Sequence, residues 1–358
     1  MSYKSRDLTI IFFYDKIFMK MLRKDAKISI IIPTHNSEKS IGTCLGSIYN
    51  STCLPHEVII ADDCSSDRTI DTVKKFYCII LPNTNRRFQA ACRNIGAERA
   101  SGNMLLFIDS DIELKRDSIE RALIIMEKEN PSAVVGIYDK FNPYYNTVSQ
   151  YKNLYMHFNQ LSSKKWIKWT NTSFLLISRD AFFCTEGFDE SLRESICEDL
   201  DFGARFTKRG FTIFLDKNIE LIHHRYLNIL SFLKMEYKRA RNITLINIQN
   251  LCSGNITEWP ARFSFRISFL LIPLFYGSLI RTVNVLYTKQ AFVLPVVLLG
   301  LFLLINSRFI RFLYTTRGTI FSLYAIPILV LGMTVSFIGT IVEIFNFIIH
   351  RILSIKNL

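Results

Sequence analysis

The chain has 358 residues, of which 49% are hydrophobic, and a net charge of +13. That length excludes a single small module, and that apolar content excludes a disordered polar chain. The basic excess concentrates in SKKWIKW, YKRAR and the loops around the most apolar runs, a pattern that suits an anionic membrane surface, so nucleic acid is not expected as a partner. In chain order, residues 1–26 form an N-terminal extension without the features of a cleavable export signal, since LTIIFFY runs straight into Asp15 and Lys16. ISIII (Ile28–Ile32), ended by Pro33, predicts a strand buried on both faces. A helix is expected over Glu38–Asn50 and a second strand over Glu57–Ala61. DDCSSDRT then forms a loop in which Asp67 caps a helix. Tyr77–Leu81 reads as a third strand, Phe88–Ala100 as a helix, Met104–Ile108 as a fourth strand and Asp117–Glu129 as a helix stopped before Pro131. Alternating apolar strands and helices predict an α/β fold: a Rossmann-like, doubly wound, mostly parallel sheet.

Beyond Phe263 the composition changes. Apolar stretches at about 265–281, 290–307 and 318–342 form a C-terminal membrane region, 256–358, behind a folded domain at 27–255. By length the last two qualify as transmembrane helices and the first is marginal. Arg308, Arg311 and Arg317 mark a cytoplasmic loop. The expectation is therefore a multi-pass protein of the inner membrane, with its folded domain cytoplasmic. Eight cysteines without a CxxC fit reduced thiols, not a zinc site.

Ligands of doubly wound sheets bind beyond the carboxyl ends of the strands, and three polar clusters fall there: PTHN, DDCSSD and DSD. No glycine-rich phosphate loop follows any strand. A dication, Mg2+ or Mn2+, held by Asp109 and Asp111 would meet the phosphate charge instead. The adjacent carboxylates need some positive partner to stay ionised.

Several motifs in order, ISIIIPTHN, VIIADDCSSDRT, AACRNIGAERASGNMLLFIDSD, EGFDESLRESICEDLDFGARFTKRG and LIHHRYLNILSFLKMEYKRAR, resemble those of family 2 glycosyltransferases of the GT-A fold. The resemblance covers roughly Lys27–Ala240. It implies that Pro33, Thr34 and Asn36 shape the base pocket of a nucleoside-diphosphate sugar, with Asp62 or Asp63 bonding base or ribose and Arg93 ordering the pocket. It also implies that Asp109 faces ribose and metal, that Asp111 ligates the metal and that His223, in preference to His224, completes the metal shell. Asp199 would be the general base of an inverting transfer. The Gln-x-x-Arg-Trp string of processive members is absent, so transfer of a single sugar is expected, to a lipid-linked or membrane-associated acceptor in cell-envelope glycan assembly. Trp166 and Trp169 could wall a sugar or simply pack. Donor choice is expected to lie around Arg87–Arg93 and Trp169–Asn171. The alternatives are a catalytically silent membrane scaffold and a nucleotidyltransferase, which would release pyrophosphate.

Overall fold

The β-branched run that opens the folded region forms β1 (Ile28–Thr34), buried along its whole length. The computed structural model describes residues 26–192, 197–252, 263–284 and 289–356. In it β2 (Glu57–Asp62) and β4 (Met104–Phe107) pair with β1 in parallel, and β3 (Ile79–Pro82) pairs with β2 in parallel. Isoleucine and valine at successive positions are what a strand covered on both faces requires. The sense then changes. β8 (Leu175–Ser178) runs antiparallel to β4, and β6 (Ala133–Tyr138) antiparallel to β8. With β9 (Ile213–His223) and β5 (Ile112–Leu114) the strand order is β3-β2-β1-β4-β8-β6-β9-β5, and β7 (Trp166–Ile167) pairs with β9. The register sets Thr34 opposite Asp62 and Phe107 opposite Leu175. The polar residues that follow β1, β2 and β4 therefore emerge together with the loop that leads into β8.

Helices Ile41–Tyr49, Phe88–Arg99 and Ser118–Lys128 form inside their expected limits. The short helix Thr69–Val73 differs slightly from expectation because Arg68 precedes it directly. Asp67 still holds its start from one position further out, accepting from Thr69 N at 3.0 Å, while its other oxygen accepts from Glu38 N at 3.2 Å.

Two compact units interleave along the chain. The first comprises Met1–Gly136, Thr170–Glu190 and Phe206–Ile219, and the second Ile137–Trp169, Ser191–Arg205 and Glu220–Leu358. In the second, helices Thr147–Leu161 and Ile229–Cys252 share one apolar core with the C-terminal helices, through Tyr151, Leu154, Phe232, Phe302, Phe309 and Leu329.

The apolar stretches correct their expected ranking. The first forms a helix, Phe263–Asn284, whose stretch Ser264–Val283 is long and apolar enough to cross a membrane. It exceeds the expected 265–281 because the helix continues past Arg266 and Arg281. The second is too short. After a 3-10 turn at Lys289–Phe292, helix Val293–Ile305 has 13 residues, about 20 Å of rise against a hydrocarbon core of about 30 Å. Asn306 ends it, donating to Phe302 O and to Ser268 Oγ. The third stretch lies in helix Ser307–Lys356, bent at Gly318, whose φ of 83° is open to glycine. Its residues Ser307–Ile349 also pass by length and composition.

Candidate functional site

In the first unit the loops beyond β1 and β2 are laced together by side chains. Asn36 N donates to Ser65 Oγ at 3.0 Å, Ser66 N donates to Asn36 Oδ1 at 2.8 Å and Ser37 N donates to Thr69 Oγ1 at 2.7 Å. Asn36, Cys64 and Phe88 all have positive φ. Such left-handed conformations in non-glycine residues cost free energy and persist where surrounding structure enforces them.

The two aspartates that end β2 do different work, although each is 4% exposed. Asp62 closes a tight turn, accepting from Ser65 N at 3.1 Å and from Ser65 Oγ at 2.5 Å. Asp63 opens the helix Phe88–Arg99. Its oxygens accept from Arg87 N at 2.6 Å, Phe88 N at 3.0 Å and Asn83 Nδ2 at 3.3 Å, and Arg86 Nε lies 3.6 Å away. The helix's first amides are thus satisfied by a carboxylate from another strand.

The DSD turn follows β4 and is closed by Ile112 N donating to Asp109 O at 3.1 Å. A positive partner for Asp109 comes from within the chain. The Arg93 guanidinium, 1% exposed, donates to Asp109 Oδ1 at 2.7 Å and lies 5.5 Å from the Phe188 ring centre. Ser173 Oγ, from the loop before β8, donates to Asp109 Oδ2 at 2.9 Å. Ser110 Oγ and Ser37 Oγ are 2.9 Å apart, tying the turn to the β1 loop. Beneath the turn, Cys44 Sγ lies 3.7 Å from Asp109 O, and burial and then the charges of Asp111 and Asp109 push its thiol well above its ordinary range.

Two buried polar atoms at this edge, the Thr34 hydroxyl and the Asn171 amide nitrogen, have no hydrogen-bond partner among the described residues. Pro33 lies inside β1, opposite Ala61. Thr34, Asn36, Asp62, Asp63, Arg93, Asp109 and Asp111 therefore all belong to one edge of one unit.

Asp199 and His223 belong to the second unit. Asp199 sits half-buried in the acidic first turn of helix Glu198–Lys208, accepting from Leu200 N at 2.8 Å. Arg193–Ile196, in the expected acceptor loop, lie outside the described residues. The same unit holds a cluster of charges. Lys152 Nζ donates to Glu236 Oε1 at 2.6 Å. Burial depresses Arg239, but Glu236, then Cys197, Tyr155 and Asp199, outweigh it and hold the guanidinium above its ordinary value. Burial, with Arg239 and Arg225, lowers Lys152 to about 8 against the pull of Glu236. His223 ends β9 with its ring stacked on Tyr138 at 4.8 Å and its carbonyl accepting from Asn142 Nδ2 at 3.0 Å.

Sequence reasoning missed Ser173 and the cluster of Lys152, Glu236 and Arg239. Glu236 and Arg239 stand three apart on one helix, a visible signal, but Lys152 is remote in sequence and nothing in the letters pairs it with them. Of the two tryptophans, Trp169 is packed at 7% exposed and Trp166 stands at 47%.

The donor chemistry fits a dication. Two carboxylates on one tight turn supply hard oxygen ligands, and Mg2+ and Mn2+ are commonly bound by one or two carboxylates together with substrate phosphates. Among the described residues no group of three or more His, Cys, Asp or Glu side chains forms a metal cluster.

Residues 29–186 match the sequence model of glycosyl transferase family 2. The chain carries a family 2 glycosyltransferase domain. Over 121 residues it is 32% identical to the Escherichia coli UDP-Glc:alpha-D-GlcNAc-diphosphoundecaprenol beta-1,3-glucosyltransferase WfgD, covering 33% of this chain and 48% of that one. Over 106 residues it is 33% identical to an uncharacterized glycosyltransferase of Haemophilus influenzae, covering 29% and 36%. The matches thus span less than half the length of these relatives. A mannosyltransferase of Pyrobaculum calidifontis, solved with GDP-Man and Mn2+, superposes with a TM-score of 0.56 at 13% identity, covering 94% of this chain and 96% of that one. At that identity the likeness shows the shared fold alone.

Proposed function

We propose that this chain transfers a single sugar from a nucleoside-diphosphate sugar to a lipid-linked acceptor, with inversion, in the assembly of a cell-envelope glycan. The observation that carries the reading is the Asp109–Asp111 turn, braced by Arg93 and Ser173, at the strand edge of a family 2 domain. Residues 27–255 are taken as the catalytic domain and 256–358 as the membrane region, at the inner membrane with the catalytic domain on the cytoplasmic side. The diphosphoundecaprenol in the name of the E. coli relative and two apolar helices long enough to enter a bilayer support a membrane acceptor. The Mn2+ and GDP-Man bound to the P. calidifontis mannosyltransferase are in keeping with a dication and a nucleotide sugar.

Each residue has a definite task in this reading. Thr34 and Asn171 offer buried hydrogen-bonding groups without partners among the described residues, and such groups are where a polar ligand completes the structure. Asp62 keeps acceptor capacity for base or ribose, since among the described residues its carboxylate accepts from Ser65, whereas Asp63 is occupied in holding the Phe88 helix. Asp109, fixed by Arg93 and Ser173, and Asp111 would hold a divalent ion, which when bound supplies Lewis-acid stabilisation of the departing diphosphate. His223 is the further ligand proposed for that ion. Asp199 takes the proton of the acceptor hydroxyl.

A screen of nucleotide sugars with Mn2+ or Mg2+, reading nucleoside-diphosphate release and the anomeric configuration of the product, tests the proposal. Asp199→Asn should lose transfer by at least a hundredfold while still binding donor. Wild-type-level transfer by that variant, or release of pyrophosphate, would overturn the assignment.

A further inference from the structure

The stretch Gly318–Val342 holds 25 residues without a charge, which by sequence reads as a membrane crossing. What packs against it argues otherwise. Helix Ile229–Cys252 runs alongside it in the same direction. A Cβ on Gly332 would lie 2.9 Å from the Phe232 ring, and one on Gly339 would lie 2.8 Å from Tyr237 O. Thr244 Oγ1 donates to Thr340 Oγ1 at 3.2 Å, and Arg241 Nε donates to Glu343 Oε2 at 2.7 Å. Small residues every three or four positions let the two backbones approach closely along this seam.

That neighbour is a helix for water. Between Lys234 and Arg241 it carries Lys234, Glu236, Lys238, Arg239 and Arg241, with Lys234 and Lys238 exposed. At the other end of the stretch, Arg317 Nη2 donates to Gln150 Oε1 at 2.8 Å, on the polar helix Thr147–Leu161. The two ends of the charge-free stretch are therefore each bonded to a hydrophilic helix of the same unit. Were the stretch to cross a bilayer, the four charged side chains of Lys234, Glu236, Lys238 and Arg239 would go into hydrocarbon beside it, where charge is strongly disfavoured.

The remaining surface is apolar. Ile320, Tyr324, Leu331, Ile338 and Phe345 recur at spacings of four and seven and stand 41–73% exposed. Helix Phe263–Asn284 packs on a further face of the stretch through Phe269 with Phe337 and Tyr276 with Thr334, and its own Leu270, Leu274 and Ile280 are exposed. Exposed Arg308, Arg311 and Arg317 precede the stretch. An apolar face with cations at its rim and a charged helix behind it is the composition of a segment lying in a lipid headgroup boundary.

We propose that Gly318–Val342 lies along one leaflet of an anionic membrane instead of crossing it, so that the whole described chain stays on one side of the bilayer. This rests on the membrane reading above and replaces the expectation of several crossings. The test is labelling of closed membrane vesicles, oriented with the catalytic domain outward, by an impermeant maleimide, with labelled peptides located by mass. Exposed Cys184 reports the catalytic side. Two probes, Arg308→Cys and a cysteine appended after Leu358, are each made in otherwise unchanged protein. The proposal expects both probes to be labelled together with Cys184 in intact vesicles. Protection of either probe until the vesicles are permeabilised would overturn it by showing a crossing. Recovery of the protein in the soluble fraction after lysis would instead remove the membrane reading, and this proposal with it.

Discussion

The two units hold their acidic residues by different physics. In the first, carboxylates are satisfied largely by main-chain amides and hydroxyls: Asp62 by Ser65, Asp63 by Arg87 and Phe88, and Asp109 by Ser173, with one buried guanidinium added. In the second, Asp199 stands near a cluster of long charged side chains, Lys152, Glu236 and Arg239, from two helices that also support the apolar C-terminal segments. Backbone donors are fixed by the fold and do not titrate, so the first arrangement is stiff. Side-chain charges titrate and compensate one another, so the second depends on pH and on every member of the set.

Breaking the first arrangement at its buried guanidinium should have the largest effect. Arg93→Met leaves Asp109 with Ser173 alone and removes the contact with Phe188. Losing one partner of a fully buried pair costs ~3–5 kcal/mol. Asp109 retains 27% side-chain exposure, so about 2 kcal/mol is expected for this pair, read by urea unfolding. An unchanged midpoint would show the pair to be idle.

The second arrangement should show itself in acid. Burial pushes the Glu236 carboxyl up, but Lys152 and then Arg239 outweigh it and hold it below its ordinary value of 4.5. A carboxylate depressed in the folded state contributes stability above its unfolded pKa and loses it as pH falls through the folded value. The melting temperature should therefore drop below about pH 4.5, and Glu236→Gln should flatten that limb while lowering the plateau. Lys152, depressed to about 8 from 10.5, works in the same direction at the other end. The unfolded chain binds the extra proton between those values, so stability from this group rises with pH there. A melting curve for Glu236→Gln parallel to wild type across the acid range would contradict the coupling.

A smaller effect belongs to the seam between the hydrophilic and apolar helices. Gly339→Ala brings a methyl group to 2.8 Å from Tyr237 O, and overpacking of this kind costs ~1–3 kcal/mol. The melting temperature in detergent should fall while the first unit's unfolding stays unchanged.

How much of this was legible follows from the range of each interaction. β1 and β2 were readable because a β-branched run records its own burial. The DSD turn was readable because two carboxylates after an apolar strand are conspicuous. What answers their charge was not: Arg93 had been singled out for the pocket, but Ser173 is 64 positions from Asp109, and no local pattern joins them. The length of the Phe263–Asn284 helix is hard to read from sequence because arginines stand near both its ends. The division into interleaved units depends wholly on contacts remote in sequence, as does the pairing of a charged helix with a charge-free one.

The account stands on donor binding at the Asp109–Asp111 turn. Titration calorimetry of nucleoside diphosphates with and without Mn2+, on wild type and Asp111→Asn, measures that directly. The account predicts metal-dependent binding by wild type that weakens at least tenfold in the variant. Equal, metal-independent affinities in the two proteins would contradict it.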